Sequence, residues 1–140
     1  MTMDEKGRVA IPSKLRFLLG ERIILVRGID PCLYVFTPEQ WAKFSEKYIL
    51  NRSWKYETSR KLQRYILASA REIEIEPKQG RINLPQDHME YAGIEKDVVF
   101  IGVNDFVEVW SSEAYDEEMD PKNMNLKELM SEAPEELGGD

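Results

Sequence analysis

The sequence holds one cysteine, Cys32, and one histidine, His88, in 140 residues. A lone thiol closes no internal disulfide and has no second thiol with which to build a zinc site, which fits a reducing compartment. Cys32 therefore reads as a small buried apolar residue. A single histidine supplies neither the ligand set of a metal centre nor, without a placed nucleophile, a catalytic triad. It falls at the start of a predicted helix, "PQDHMEYAG", beside Asp87 and Glu90, and reads as a surface side chain. Long apolar runs are missing as well. "FIGV" and "IILV" are far short of the roughly 20 residues that a membrane-spanning helix needs, and no charged start followed by an apolar stretch marks a signal peptide. There is no glycine-rich phosphate loop. These gaps argue against an enzyme, a metal or cofactor carrier and a membrane protein, and point to a cytoplasmic globular chain.

Charge is unevenly spread. The net charge of -7 arises from 19 bases and 26 acids, yet residues 113–140 alone hold ten acids and two bases. The first 112 residues carry 17 bases against 16 acids. Such a near-neutral body binds nucleic acid only if its bases gather on one face, because phosphate contacts supply most of the affinity. The acidic tail contains a weak amphipathic stretch around Leu126, Leu129 and Met130, between the breakers Pro121 and Pro134. Its end is expected to be disordered, as a solvating segment or one that mimics or repels nucleic acid.

Along the body, "ERIILVRGIDPCLYVF" sets two β-rich apolar runs around a Gly, Asp and Pro punctuation, the pattern of a hairpin. In "TPEQWAKFSEKYI", Thr37 caps, Pro38 takes the first helical position and Gln40 completes a capping box, so a helix is predicted from Pro38. Trp41, Phe44, Tyr48 and Ile49 share one face of it. A second helix is predicted over "WKYETSRKLQRYILASA", with Leu62, Tyr65, Ile66 and Ser69 at helical spacing. "REIEIEP" then alternates as a strand, with Glu72, Glu74 and Glu76 on a solvated face and Pro77 ending it.

The opening "DEKGRVAIPSKLRFLLG" returns as "PKQGRINLPQDHMEYAG". Setting Gly7 on Gly80 aligns Arg8 with Arg81, Val9 with Ile82, Ile11 with Leu84, Pro12 with Pro85 and Gly20 with Gly93. After one inserted residue the match resumes, with Gly28 on Gly102, Val35 on Val109, Phe36 on Trp110 and Thr37 on Ser111. This is a tandem duplication of about 40 residues. Two copies are too few for a solenoid. The expected fold class is α+β, a pseudo-symmetric β-barrel of two ββαββ-type halves with packed helices, each half completing the other's core. The expected boundaries are 1–50 for the first half, 51–69 for a connecting helix, 70–118 for the second half and 119–140 for the tail. Copy two is led by the strand "REIEIEP", but copy one only by Met1, Thr2 and Met3. Equivalence of the halves then implies a lead-in strand missing or cut short and an edge to be tolerated, covered or paired. A late start codon explains the gap equally well.

The repeated turn carries the unusual chemistry. A glycine there takes a positive φ, so the chain reverses sharply and sends Lys6 and Arg8 outward while Val9 and Ile11 return to the core. Asp4, four residues before Arg8, either grips the guanidinium or caps its own turn. An arginine at such a tip fits phosphate or the O6 and N7 acceptors of guanine. Two pseudo-symmetric arginines form a paired surface, and oligomers multiply it.

"DEKGRVAIPSKLR", "ERIILVRGIDPCLYVFTPEQW" and "KQGRINLPQDHMEYAGIEKDVVFIGVNDFVEVWSSEAY" resemble the MraZ family of bacterial transcriptional regulators, whose halves are each similar to the AbrB-type swapped-hairpin fold. The resemblance implies ring-shaped homo-oligomers that bind double-stranded DNA at the nucleoid, on tandem short repeats upstream of division and cell-wall genes. The family's Asp-x-x-x-Arg motif maps onto Asp4 and Arg8. In copy two the Asp position is Pro77, so Arg81 is kept there with Lys78 beside it. The family's opening strand, with a glycine and an aromatic before the motif, is absent from this sequence. The candidate DNA contacts are Arg8 and Arg81, with Lys6 and Lys78 as supporting cations, Asp4 as orienting acid and Gly7 and Gly80 as turn makers. On this reading Arg8→Ala weakens binding more than Arg81→Ala, since only Arg8 retains an acidic partner. The alternative is a ring-forming structural or adaptor module that binds proteins.

Overall fold

The structure is a computed structural model and describes residues 1–135. In chain order its elements are β1 (Arg8–Ala10), α1 (Ser13–Leu19), β2 (Arg22–Arg27), β3 (Leu33–Phe36), α2 (Pro38–Ser45), α3 (Glu57–Ser69), β4 (Arg71–Glu74), β5 (Arg81–Asn83), α4 (Gln86–Ala92), β6 (Val98–Val103), β7 (Phe106–Ser111), α5 (Ser112–Glu118) and α6 (Leu126–Glu132). The duplication is visible as strand, short helix, hairpin and helix repeated in the same order.

The capping residues act as their types require. Thr37 Oγ1 accepts from the Gln40 amide at 3.1 Å, and the Gln40 side chain accepts from the Thr37 amide at 3.5 Å, closing the box that starts α2. Ser111, the copy-two counterpart, accepts from the Ala114 amide at 3.0 Å. Beyond α2 the helix widens into a π turn over Glu46–Leu50, which buries Ile49.

The strands form a five-stranded antiparallel sheet in the order β4-β2-β3-β7-β6 and a separate two-stranded ribbon of β1 and β5. At the centre of the large sheet the two copies meet, with Leu33 opposite Val109 and Val35 opposite Val107. All four residues of β3 are buried, because apolar layers cover both faces. Leu33 and Val35 join Ile23, Leu25, Val98 and Val109 beneath the ribbon. Tyr34 and Phe36 point the other way, where Phe36 lies 5.4 Å from Trp41, 4.8 Å from Phe44 and 5.2 Å from Phe106 between ring centroids. Cys32 is fully buried, and burial pushes its thiol up to about 12.

The α+β class holds, but the expected barrel does not close. The lead-in strand of copy two, β4, pairs with β2 of copy one from Arg22 opposite Glu74 to Leu25 opposite Arg71. The lead-in of copy one, Met1–Met3, meets β6 of copy two in the same swapped sense. It makes one bridge, Thr2 with Asp97, flanked by Met3 N–H to Lys96 O and Val98 N–H to Met1 O, both 2.8 Å. From Val99 onward the outer edge of β6 has no strand beside it among the described residues. Among the described residues the sheet stays open along this edge.

A second expectation is corrected at His88, which is 1% exposed rather than on the surface. The first turn of α4 tucks against the end of α3, where the ring's Nε2 lies 2.6 Å from the Ser69 carbonyl and Nδ1 lies 3.1 Å from Asp87. Ser69 Oγ in turn accepts from the Arg27 amide at 3.0 Å, so the imidazole links α4, α3 and β2. The tail forms α6, with Leu126, Leu129 and Met130 exposed. The disordered end expected for the tail lies at residues 136–140, outside the described residues.

Removing the ring that three aromatics enclose, in Phe36→Ala, is expected to cost about 3–5 kcal/mol of stability. Urea unfolding followed by tryptophan fluorescence measures it, and a loss below about 1 kcal/mol would show that the cluster collapses into the cavity.

Candidate nucleic-acid interface

Each copy of the repeated turn is built around an acid. In the first, Asp4 Oδ1 accepts from the backbone amides of Lys6 and Arg8, both at 2.9 Å, and Oδ2 accepts from Arg8 Nε at 2.8 Å. Capping and gripping, offered by the sequence as alternatives, occur together on one carboxylate. Gly7 sits at φ +77°, in the left-handed region that its neighbours avoid. The second turn uses the same design with a different acid. Glu76 accepts from the amides of Lys78 and Gln79, both at 2.8 Å, and Gly80 sits at φ +68°. The closing bonds match as well, Asp4 N–H to Arg8 O and Glu76 N–H to Arg81 O, each 2.8 Å.

This overturns the expectation that copy two lacks its acid. Aligning on the glycines sets Pro77 opposite Asp4, but the copy-two turn is one residue longer, and Glu76 supplies the carboxylate. Arg81 accordingly has acidic partners of its own, Glu76 at 3.9 Å and Asp4 at 3.5 Å. The premise for a weaker second arginine is removed.

The β1–β5 ribbon then decides where the arginines point. Arg8 stands opposite Asn83 and Ala10 opposite Arg81. Directly opposed residues share a face of an antiparallel pair, so Arg8, Ala10, Arg81 and Asn83 lie on one side. Val9 and Ile82, at the intervening register position, are 1% exposed and anchor the ribbon in the core. The two guanidinium groups converge on a single atom, Asp4 Oδ2, at 2.8 Å from Arg8 and 3.5 Å from Arg81. Their side chains remain 30% and 27% exposed. They are neither folded into the core nor sealed beneath helices, but they are held together rather than sent outward separately. Arg81 Nε is buried and has no hydrogen-bond acceptor among the described residues.

Beside them an open groove of about 600 Å³ runs along β4, lined by Arg8, Arg71 and Arg81 and by Glu72, Glu74 and Glu76. Glu72 and Glu74 are solvated as their alternation predicts, whereas Glu76 turns into its corner. Lys6 and Lys78 are exposed at the turn tips and make no ion pair among the described residues. A further cation, missed in the sequence, is Arg16 of α1, whose guanidinium lies directly over Gly80, where a Cβ would collide with it. Comparison of the copies passes over it because Met89 stands at the equivalent position.

Asp4 is held below the usual carboxylate range, first by the amide of Arg8, then by the Lys6 amide and the Arg8 side chain, against some burial. Glu76 is lowered first by the Gln79 amide, then by the Lys78 amide and the Arg81 charge, again against some burial. Both are therefore anionic wherever nucleic acid is bound near neutral pH. Among the described residues no three His, Cys, Asp or Glu side chains are grouped as a metal ion would require, and no helix is long and apolar enough to cross a membrane.

A family model described as "MraZ protein, putative antitoxin-like" matches the chain twice in tandem, over residues 1–65 and 66–134. The chain belongs to the MraZ family. Among its relatives, the "Transcriptional regulator MraZ" of Caldanaerobacter subterraneus subsp. tengcongensis is 41% identical over 128 residues, covering 91% of this chain and 88% of that one. The protein of the same name from Thermoanaerobacter sp. strain X514 is 42% identical over the same shares. That of Caldicellulosiruptor saccharolyticus is 39% identical over 136 residues, 97% of this chain and 93% of its own. One family match holds the first turn and the other holds the second, so the paired turns belong one to each MraZ unit.

A carboxyl whose folded-state pKa is depressed stabilises the fold above its unfolded pKa, and that contribution is lost as pH falls through the folded value. Wild type is therefore expected to exceed Asp4→Asn in urea midpoint at pH 7. The gap should close in the range below the ordinary value of 3.8. A gap of the same size at pH 2 would mean that the ionised carboxylate is not what stabilises the corner.

Proposed function

We propose that this chain is a sequence-specific, DNA-binding transcriptional regulator that occupies promoter DNA as a ring-shaped homo-oligomer, with Arg8 and Arg81 as its contact residues. The observation that carries the reading is the pair of guanidinium groups, one from each MraZ unit, fixed by one carboxylate oxygen on the outer face of a core-anchored ribbon. Arginine's planar fork matches both phosphate oxygens and the O6 and N7 acceptors of guanine. Preorganisation by Asp4 lowers the ordering cost of presenting it.

Lys6, Lys78 and Arg16 add charge at the rim, and Gly7 and Gly80 let the turns close. The groove itself balances three arginines against three glutamates, so one protomer offers only a small electrostatic footprint. Repetition around a ring supplies the missing affinity through effective concentration, which suits tandem short repeats upstream of division and cell-wall genes as the operator. On this reading the protein works in the cytoplasm at the nucleoid. The relatives' shared name supports regulation, and nothing among them supports the adaptor alternative.

Gel-shift titration against the DNA upstream of its own gene tests the proposal. Arg8→Ala and Arg81→Ala should each weaken binding, by roughly 5- to 150-fold if the fork reads a base, and by similar amounts because both arms are tied to Asp4. Lys6→Ala should reduce the salt slope by about one phosphate contact. Asp4→Ala decides between charge and geometry. It removes a negative charge from the interface, so binding would strengthen if charge alone mattered, whereas a positioning role predicts a loss like that of either arginine. Absence of a salt-sensitive complex would overturn the DNA reading.

A further inference from the structure

Two exposed apolar surfaces of opposite charge are left outside the site described above. One is α6, where Leu126, Leu129 and Met130 stand at i, i+3 and i+4 and are 75%, 46% and 76% exposed. The same helix carries Glu128 and Glu132, within a stretch from 113 to 135 that holds eight acids and two bases. Among the described residues, α6 packs extensively against no other element. The other surface is α3 with the loop before it. Trp54, Tyr56 and Tyr65 are 71%, 68% and 51% exposed, and Thr58, Lys61, Leu62, Arg64 and Tyr65 line a shallow strip along the helix. Residues 47–64 hold six bases and one acid. Arg60 is turned back onto the Trp54 and Lys55 carbonyls, and Lys61 pairs with Glu57 at 3.3 Å. Arg64 has no such partner among the described residues.

From this complementarity we infer that α6 of one copy seats on the α3 strip of a second copy. Leu126, Leu129 and Met130 cover Leu62 and Tyr65, and Glu128 and Glu132 face Lys61 and Arg64. An apolar stripe rimmed by charge of one sign is matched by a stripe rimmed by the other. The two surfaces differ, so the contact is head-to-tail, the kind that closes into a ring or runs on as a filament. Three side chains on a seven-residue helix make a weak single contact, and closure multiplies it. The inference deepens the ring reading by naming the surfaces that would build it.

Size-exclusion chromatography with light scattering on the full chain, over a range of concentrations, tests it. Wild type should assemble, and Leu129→Asp and Arg64→Glu should each raise the concentration needed by about 10-fold or more. Circular dichroism confirms that both variants fold. Each variant keeps one intact surface, so mixing them should give a heterodimer that grows no further. Combining Arg64→Glu with Glu132→Arg in one chain should restore assembly. If wild type assembles and the variants assemble equally well, the contact is wrong and the ring reading survives. If only one of the two variants is impaired, the pairing is wrong. If wild type is monomeric throughout, both readings fall. A disulfide formed within single chains of a variant carrying Lys61→Cys and Met130→Cys would assign α6 to its own α3 and overturn the inference.

Discussion

Everything distinctive in this molecule depends on one carboxylate oxygen that holds two guanidinium groups. Two arginines brought together at the surface of a small ribbon repel each other, and long side chains would otherwise spread into solvent. Asp4 Oδ2 gives both a common acceptor, while Oδ1 of the same group binds the backbone of its own turn. The side chain is thereby fixed at both ends. Because Arg8 belongs to one copy and Arg81 to the other, the contact makes the duplicated motifs a single composite surface. A substitution at Asp4 reaches both.

That surface is only as rigid as the ribbon beneath it, and three-residue strands are not stable alone. Val9 and Ile82 root β1 and β5 in the same apolar layer as β2, β3 and β7. The swapped lead-in segments tie the layer together, β4 running along β2 and Met1–Met3 touching β6. Each copy completes the other, as the repeat suggests, although the two contributions are unequal in length. The open edge of β6 lies at the far side of the sheet from β4.

Features set by local chemistry were legible in the sequence. The Thr37, Pro38 and Gln40 box, the Gly28–Pro31 reversal between β2 and β3, and the glycine-hinged turns each need only their own few residues. The outward side of the ribbon followed from period-two alternation. What escaped depends on comparison or on tertiary packing. Glu76 was hidden because alignment on glycine assumes turns of equal length, and a longer side chain on a longer turn reaches the same place. Arg16 was hidden because the other copy has Met89. His88 lies among acidic neighbours that suggest a wet helix face, yet its environment is decided by the end of α3, far away in sequence. Symmetry of pattern suggests a closed barrel, but pattern alone does not fix which edges pair, and among the described residues β6 has no strand beside it from Val99 onward.

The remaining tension is between a net charge of -7 and a polyanionic target. The proposed binding face, which carries glutamates beside its arginines, is poorly suited to gripping phosphate indiscriminately, since each carboxylate discounts the counterion release that drives non-specific binding. The same carboxylates fix donor direction, which is what base-edge recognition requires. On the proposed reading each protomer trades strength for selectivity, and a ring that repeats the face would restore the strength. The acidic tail fits this division of labour. On the inferred contact, seating α6 on the basic α3 of a neighbour would neutralise the cations of residues 47–64 and leave the paired corners to meet DNA.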